Sequence, residues 1–243
     1  MKAMLFAAGL GTRLKPITDF IPKALVEVNG EPILGYQIRR LATFGFTTIV
    51  VNVHHHAEKV IAYLSSLEIP GVEVLISNES DQLLDTGGGL WKVANLLSGN
   101  EPFLVHNVDI LSNINLAEVY HQHAQSQVLA SLVVSNRPSS RRFLFNADGL
   151  LRGWENVNTN EKKLPCSEVE NLVAAAFSGI HIVNPAIFNH HSQLGAFSIV
   201  DVYLSLCCQF SIHALNLSNS MILDIGTLPK LEEANRLVSE GVL

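Results

Sequence analysis

The strongest constraint on this chain is an alternation. Short runs rich in Val, Ile and Phe trade places with segments of helical period through the first half, an order that argues for βαβ units around a mainly parallel sheet. Residues 3–8 read as a buried first strand. Ile33, Leu34, Ile38 and Leu41 mark one helix face ended by Gly45, and residues 47–53 read as a second strand. The pattern repeats with Val60, Ile61, Leu64 and Leu67 on a helix, a strand over 72–76, a helix over 89–97 and a strand over 103–108.

From about residue 128 hairpins replace this rhythm, with strands over 128–134, 143–145 and 150–155 and an Asp148-Gly149 turn between the last two. Residues 156–171 are polar and are expected to form a loop, a candidate lid or specificity loop. Strands are expected over 174–183 and 222–225, with Thr227 as the N-cap of a final helix. The expected fold class is α/β, a Rossmann-like mixed but mainly parallel sheet flanked by helices, in a single domain over residues 1–243.

Charge and cysteine content narrow the function. Sixteen Lys and Arg against 22 Asp and Glu leave a net charge of −6, which speaks against a nucleic-acid surface but not against a small phosphate site. No run approaches the ~18 apolar residues of a membrane span, and the first residues are too short an apolar stretch for a signal sequence. Cys166, Cys207 and Cys208 are odd in number and do not resemble a disulfide framework or a repeated metal spacing. A cytoplasmic protein in a reducing compartment is expected.

The first strand runs into Ala8-Gly9-Leu10-Gly11-Thr12-Arg13-Leu14. Two glycines there let backbone N–H groups approach an anion, and Arg13, Lys15 and Lys23 nearby favour a polyphosphate. Leu14 stands where a dinucleotide fingerprint needs glycine, and no Gly-Lys-Ser/Thr follows.

This segment, followed by Ile21-Pro22-Lys23-Ala24-Leu25, resembles the signature of the sugar-1-phosphate nucleotidylyltransferases. Asp85-Thr86-Gly87-Gly88-Gly89, Phe177-Ser178-Gly179-Ile180 and Asp224-Ile225-Gly226-Thr227 resemble the branch that acts on N-acetylmuramate 1-phosphate. The resemblance covers nearly the whole chain, so no hexapeptide-repeat acyltransferase domain is expected. It implies the nucleotide-diphospho-sugar transferase fold, with a nucleotide-binding half over about 1–110 and a sugar-binding half over about 111–243.

The implied reaction is attack by a sugar 1-phosphate on the α-phosphorus of a nucleoside triphosphate, releasing pyrophosphate; UTP and N-acetylmuramate 1-phosphate are the best guess. The resemblance gives catalytic roles to Arg13, Lys23, Asp109 and Asp224, with Asp109 and Asp224 holding Mg²⁺. It places Ala8, Gly9, Gly11, Thr12, Arg13, Thr86, Gly87 and Gly88 at the nucleotide and Glu155 and Gly179 at the sugar. Thr86 is also read as a helix cap. Two alternatives are a CTP-dependent enzyme for phosphocholine or a similar phosphorylated alcohol, and a non-catalytic nucleotide-binding regulator.

Some residues depart from the family pattern. Val108 and Asn156 replace a usual Gly and Lys, leaving Arg137, Arg141 or Arg142 as candidate sugar-phosphate contacts. His54-His55-His56 is expected to be a strand-end turn rather than a metal site, since consecutive side chains diverge. Trp91 and Trp154 are expected to serve packing.

Overall fold

The first apolar run is a strand buried on both faces. In the computed structural model, which describes residues 1–167 and 170–243, β1 (Lys2–Phe6) lies inside a ten-stranded mixed sheet. Ala3 and Leu5 belong to one hydrophobic cluster and Met4 to a second, so the strand has no polar face to show.

A short ribbon of β2 (Glu27–Val28) and β3 (Glu31–Pro32) leads into α1 (Ile33–Thr43), β4 (Thr48–Val53), α2 (Ala57–Ser66) and β5 (Glu73–Asn78). Next come α3 (Asp85–Lys92), α4 (Ala94–Leu97) and β6 (Phe103–Asn107). Strands β6, β1, β4 and β5 are neighbours in that order and parallel, with Met4 opposite Val50 on one side and Val105 on the other. This is the βαβ half legible in the alternation.

The second half contains β7 (Ile110–Ser112), α5 (Leu116–Ala124), β8 (Ala130–Ser135), β9 (Arg141–Phe145), β10 (Leu151–Asn156) and β11 (Glu161–Lys163). After them run β12 (Val173–Val183), α6 (Ile199–Leu206), β13 (Ile212–Asn216), β14 (Ile222–Asp224) and α7 (Leu228–Ser239). β12 joins the halves, pairing antiparallel with β6, β8 and β9. β14 pairs antiparallel with β7, which follows β6 directly, and so returns the end of the chain to the parallel block.

Several expectations are corrected. The expected loop over 156–171 contains β11, an exposed edge strand paired with Trp154–Asn156 after a turn in which Asn160 has φ +56°; residues 168 and 169 of that loop lie outside the described residues. The helix expected over 89–97 begins at Asp85 and is interrupted after Lys92. Thr227 occupies the N-cap of α7 but makes no side-chain cap bond. Cys166 and Cys208 form a disulfide, contrary to the reduced-thiol reading, because the fold joins positions 42 residues apart that spacing cannot pair. Among the described residues, no helix is long and apolar enough to cross a membrane.

Candidate functional site

At the C-terminal ends of β1, β4 and β6 the sheet opens into a cavity of about 510 Å³, bordered by Ala7–Gly9, Asn52 and Asn107–Asp109. Crevices at this edge of a parallel sheet are where α/β folds place ligands. The glycine loop is pinned at both ends: the Ala7 N–H donates to Asn52 Oδ1 at 2.8 Å, and Thr18 Oγ1 donates to the Gly11 carbonyl at 2.8 Å. Gly11 has φ +65°, and a Cβ there would stand 2.8 Å from Thr18 Cγ2 and 3.0 Å from Lys23 Cβ. Only glycine lets the loop cross so close to Lys23. Gly9 is exposed, with open space where a Cβ would point.

Two cation–carboxylate pairs stand next to this loop. Lys23 Nζ is bonded to Asp109 Oδ2, and the Arg13 guanidinium lies 3.7 Å from Asp224 Oδ2. The 115-residue gap between the two aspartates is closed by pairing: the Ile225 N–H donates to the Asp109 carbonyl at 3.0 Å, beside the β14–β7 ladder. Gly226 completes the arrangement, since its N–H donates to Asp224 Oδ1 at 2.8 Å and a Cβ would fall 2.5 Å from Arg13 Nη2. Lys23 and Asp109 border the cavity, with Arg13 and Asp224 beyond them. Thr12 opens an exposed 3₁₀ turn over Thr12–Leu14 whose last residue, Leu14, is fully buried. Val108 is 3% exposed and belongs to the same buried cluster as Leu14, Ile110 and Leu223, although part of it borders the cavity.

The opposite wall is built from α3. Asp85 and Thr86 border the cavity, whereas Gly87 and Gly88 are buried and donate their N–H groups to the Phe197 carbonyl at 2.8 and 3.2 Å. A Cβ on Gly88 would stand 2.1 Å from the Gly195 carbonyl oxygen, so these glycines admit the 195–197 segment, which itself adds Ala196 to the cavity wall. Thr86 is not the helix cap: its Oγ1 accepts from the Ile199 N–H at 3.1 Å and ties α3 to α6.

Sequence patterns do not mark two further residues of the site, Asn52 and Glu79. Buried Glu79 accepts from Asn52 Nδ2 at 2.8 Å and from the Leu84 N–H at 3.2 Å, which anchors the approach to α3 on the end of β4. The only sequence signal is a polar residue near the end of each of two strands.

Glu155 and Gly179 do not border this cavity. Glu155 is 7% exposed and paired with Arg142 and, at 3.3 Å, Lys162. Gly179 has φ +80° within a register shift of β12, and a Cβ would stand 2.4 Å from Asn107 Nδ2, so it packs behind a residue that does border the cavity. Arg137 donates to the Phe177 carbonyl at 3.0 Å. His54–His56 form the turn between β4 and α2, with His54 Nδ1 at 2.7 Å from the Glu79 carbonyl. Trp91 packs edge-on against Phe188 and Phe197, and Lys163 lies over the Trp154 ring.

Comparison with known proteins gives the family. Residues 2–240 match the family model described as Nucleotidyl transferase. The chain is 32% identical over 245 residues to N-acetylmuramate alpha-1-phosphate uridylyltransferase from Neisseria meningitidis serogroup B, covering 98% of both chains. It is 33% identical over 224 residues to the protein of the same name from Caulobacter vibrioides, covering 84% of this chain and 83% of that one. In fold it is similar to a UTP-bound UGPase from Acinetobacter baumannii, with a TM-score of 0.76 at 19% identity, covering 98% of this chain and 92% of that one. A glycine loop closed over a lysine, two aspartates joined across 115 residues and a match over nearly the full length lead to one conclusion: the chain belongs to the nucleotidyl transferase family.

Proposed function

We propose that the protein transfers a nucleotidyl group from UTP to N-acetylmuramate 1-phosphate or a similar hexose 1-phosphate, giving a UDP-sugar and pyrophosphate. The observation that carries this reading is the pairing of Lys23 with Asp109 on the cavity wall, and of Arg13 with Asp224, beside one glycine loop. The two uridylyltransferase relatives, each above 30% identity, support the choice of base and sugar. Residues to about 110 supply the nucleotide side and the remainder the sugar side.

The attacking group needs no strong base, since a phosphate monoester with a second pKa near 6 is already largely ionised at pH 7. Its difficulty is repulsion: unit charges ~4 Å apart interact by about 4 kcal/mol at an effective dielectric of 20. Lys23 opposes that repulsion at the reacting phosphates, and Arg13 at the β,γ-phosphates as charge builds on pyrophosphate. Backbone around Ala8, Gly9 and Gly11 lies along the triphosphate, with Thr12 at the edge and Thr86 on the facing wall. Gly87 and Gly88 act through the wall they allow rather than by direct contact. Glu155 orients Arg142 and Lys162, and Gly179 orients Asn107, toward the sugar side.

Mg²⁺ fits the two aspartates. Both offer hard oxygen donors, their side chains are 17% and 36% exposed, and the β14–β7 ladder with the Ile225–Asp109 backbone bond beside it joins their segments. Asp109 and Asp224 would hold the ion, which when bound supplies Lewis-acid stabilisation of phosphate charge.

The test is pyrophosphate release by purified protein with Mg²⁺, using four nucleoside triphosphates against several sugar 1-phosphates and phosphocholine. Release with UTP and N-acetylmuramate 1-phosphate is expected. Release with only CTP and phosphocholine, or nucleotide binding without release from any pair, overturns the proposal.

A further inference from the structure

Cys166, Cys207 and Cys208 meet at the C-terminal end of α6, the helix whose first residue is held by Thr86. All three Sγ atoms lie within 4.8 Å of one another. Cys166 is bonded to Cys208, and Cys207 Sγ stands 3.6 Å from Cys166 Sγ. Cys166 is half-buried, Cys207 buried and Cys208 exposed.

Two chemistries compete for such a group, and geometry separates them. Disulfide exchange needs the Cys207 sulfur behind Cys166, in line with the bond it would break, which would put it about 5.6 Å from Cys208. The actual separation is no more than 4.8 Å, so Cys207 lies beside the bond and faces a point the three sulfurs share. Thiolates around a tetrahedral Zn²⁺, with metal–sulfur bonds of about 2.3 Å, stand about 3.8 Å apart. The 3.6 Å between Cys166 and Cys207 already meets that spacing.

The geometry points to a reduction-gated soft-metal site, in which Cys166, Cys207 and Cys208 bind one Zn²⁺ through three thiolates once the Cys166–Cys208 bond is reduced. The reductant is a dithiol: it gives two electrons and two protons, becomes a disulfide itself and leaves thiols at Cys166 and Cys208. Zn²⁺ then displaces the three thiol protons to solvent, and a water takes the fourth position on the exposed Cys208 side. Arg152 stands beside the site, donating to the carbonyls of Leu151 at 2.9 Å and Cys207 at 3.3 Å. Burial pushes the Cys207 thiol up while the Arg152 charge favours its thiolate, and that charge also offsets the net −1 of a three-thiolate zinc site. The metal would thus replace the disulfide as the clamp between the segment after β11 and the end of α6.

The test uses the full chain, reduced with a phosphine, desalted without oxygen and titrated with Co²⁺. One equivalent should give a thiolate-to-cobalt charge-transfer band, release about three protons near neutral pH and yield to Zn²⁺; oxidised protein should give no band. Cys207→Ser should weaken Co²⁺ binding by about 100-fold or more, and because Cys207 is buried it is paired with Cys208→Ser at the exposed position, where the same loss is expected. Asp109→Ala should leave the band intact, which separates this site from the Mg²⁺ aspartates. Absence of a stoichiometric thiolate band in the reduced protein, or an undiminished band in both serine variants, overturns the inference.

Discussion

Lys23 and Asp109 neutralise each other where their side chains are only 12% and 17% exposed, and Arg13 holds the same relation to Asp224 at 64% and 36%. In the proposed reaction, phosphate oxygens would compete for these cations and a divalent ion for the carboxylates. Substitution separates the two competitions. If Lys23 stabilises the reacting phosphates as proposed, Lys23→Ala should lower kcat/KM roughly 100- to 1000-fold, or about 3–4 kcal/mol. It also frees Asp109, so the apparent KM for Mg²⁺ should stay the same or decrease. Asp109→Ala should abolish turnover at every Mg²⁺ concentration. Steady-state rates across a Mg²⁺ series check both, and a Lys23→Ala defect relieved by extra Mg²⁺ would assign the lysine to the metal rather than to phosphate. The glycine-loop motif by itself makes Lys23 and Arg13 legible as candidate phosphate ligands. Their carboxylate partners are legible only as family positions, because 115 residues of intervening chain give no local period to read.

At the scale of elements, α3 shows what the sequence could and could not reveal. Its three consecutive glycines stand out, but their reason lies more than a hundred residues away in the 195–197 segment and, closer by, in Glu79. Gly88→Ala would place a methyl 2.1 Å from the Gly195 carbonyl oxygen, and backbone cannot rotate aside as a long side chain would. The segment must shift, at a cost of about 1–3 kcal/mol for overpacking. Because Ala196 and Thr86 lie on the cavity wall, the variant should show a lower Tm together with a higher KM for the nucleotide. Thermal melting and initial rates test this, and an unchanged KM would detach the wall from nucleotide binding. The same dependence on distant partners hides α6 and β13. Residues 199–206 carry an exposed stripe of just Asp201 and Ser205, too short a window to tell a helix from a buried strand, and β13 is defined by its parallel register with β8. β11 is hidden differently, since a short, exposed strand of Glu and Lys at a sheet edge looks like a loop until its partner is known.

For the whole molecule, the sheet buries three histidines that do not border the cavity. His106 and His181, on neighbouring strands, are fully buried, and His123 in the last turn of α5 nearly so. Burial pushes His106 and His181 from 6.5 down to about 3 and His123 down to about 4; the Arg40 charge adds to the effect at His106, and His106 adds to it at His181. Each neutral ring has a partner at Nδ1: His181 Nδ1 pairs with the Tyr203 hydroxyl, His123 Nδ1 lies 2.8 Å from Ser131 Oγ, and His106 Nδ1 lies 2.7 Å from the Asn107 carbonyl, while His106 Nε2 is buried without a hydrogen bond. The unfolded chain protonates all three near pH 6.5, whereas the folded chain refuses those protons until the pH approaches 4 and then 3. Below about pH 6.5 the unfolded state therefore binds more protons, and stability falls as the pH falls. At pH 5 each site costs about 2 kcal/mol, and three together would remove about 6 kcal/mol from a total that is commonly 5–15 kcal/mol. Urea unfolding at pH 7 and pH 5 measures the loss directly. His181→Gln retains a hydrogen-bonding group toward Tyr203 but cannot titrate, so the difference between the two pH values should shrink by about a third. An unchanged difference would show that the buried rings do not set the acid sensitivity.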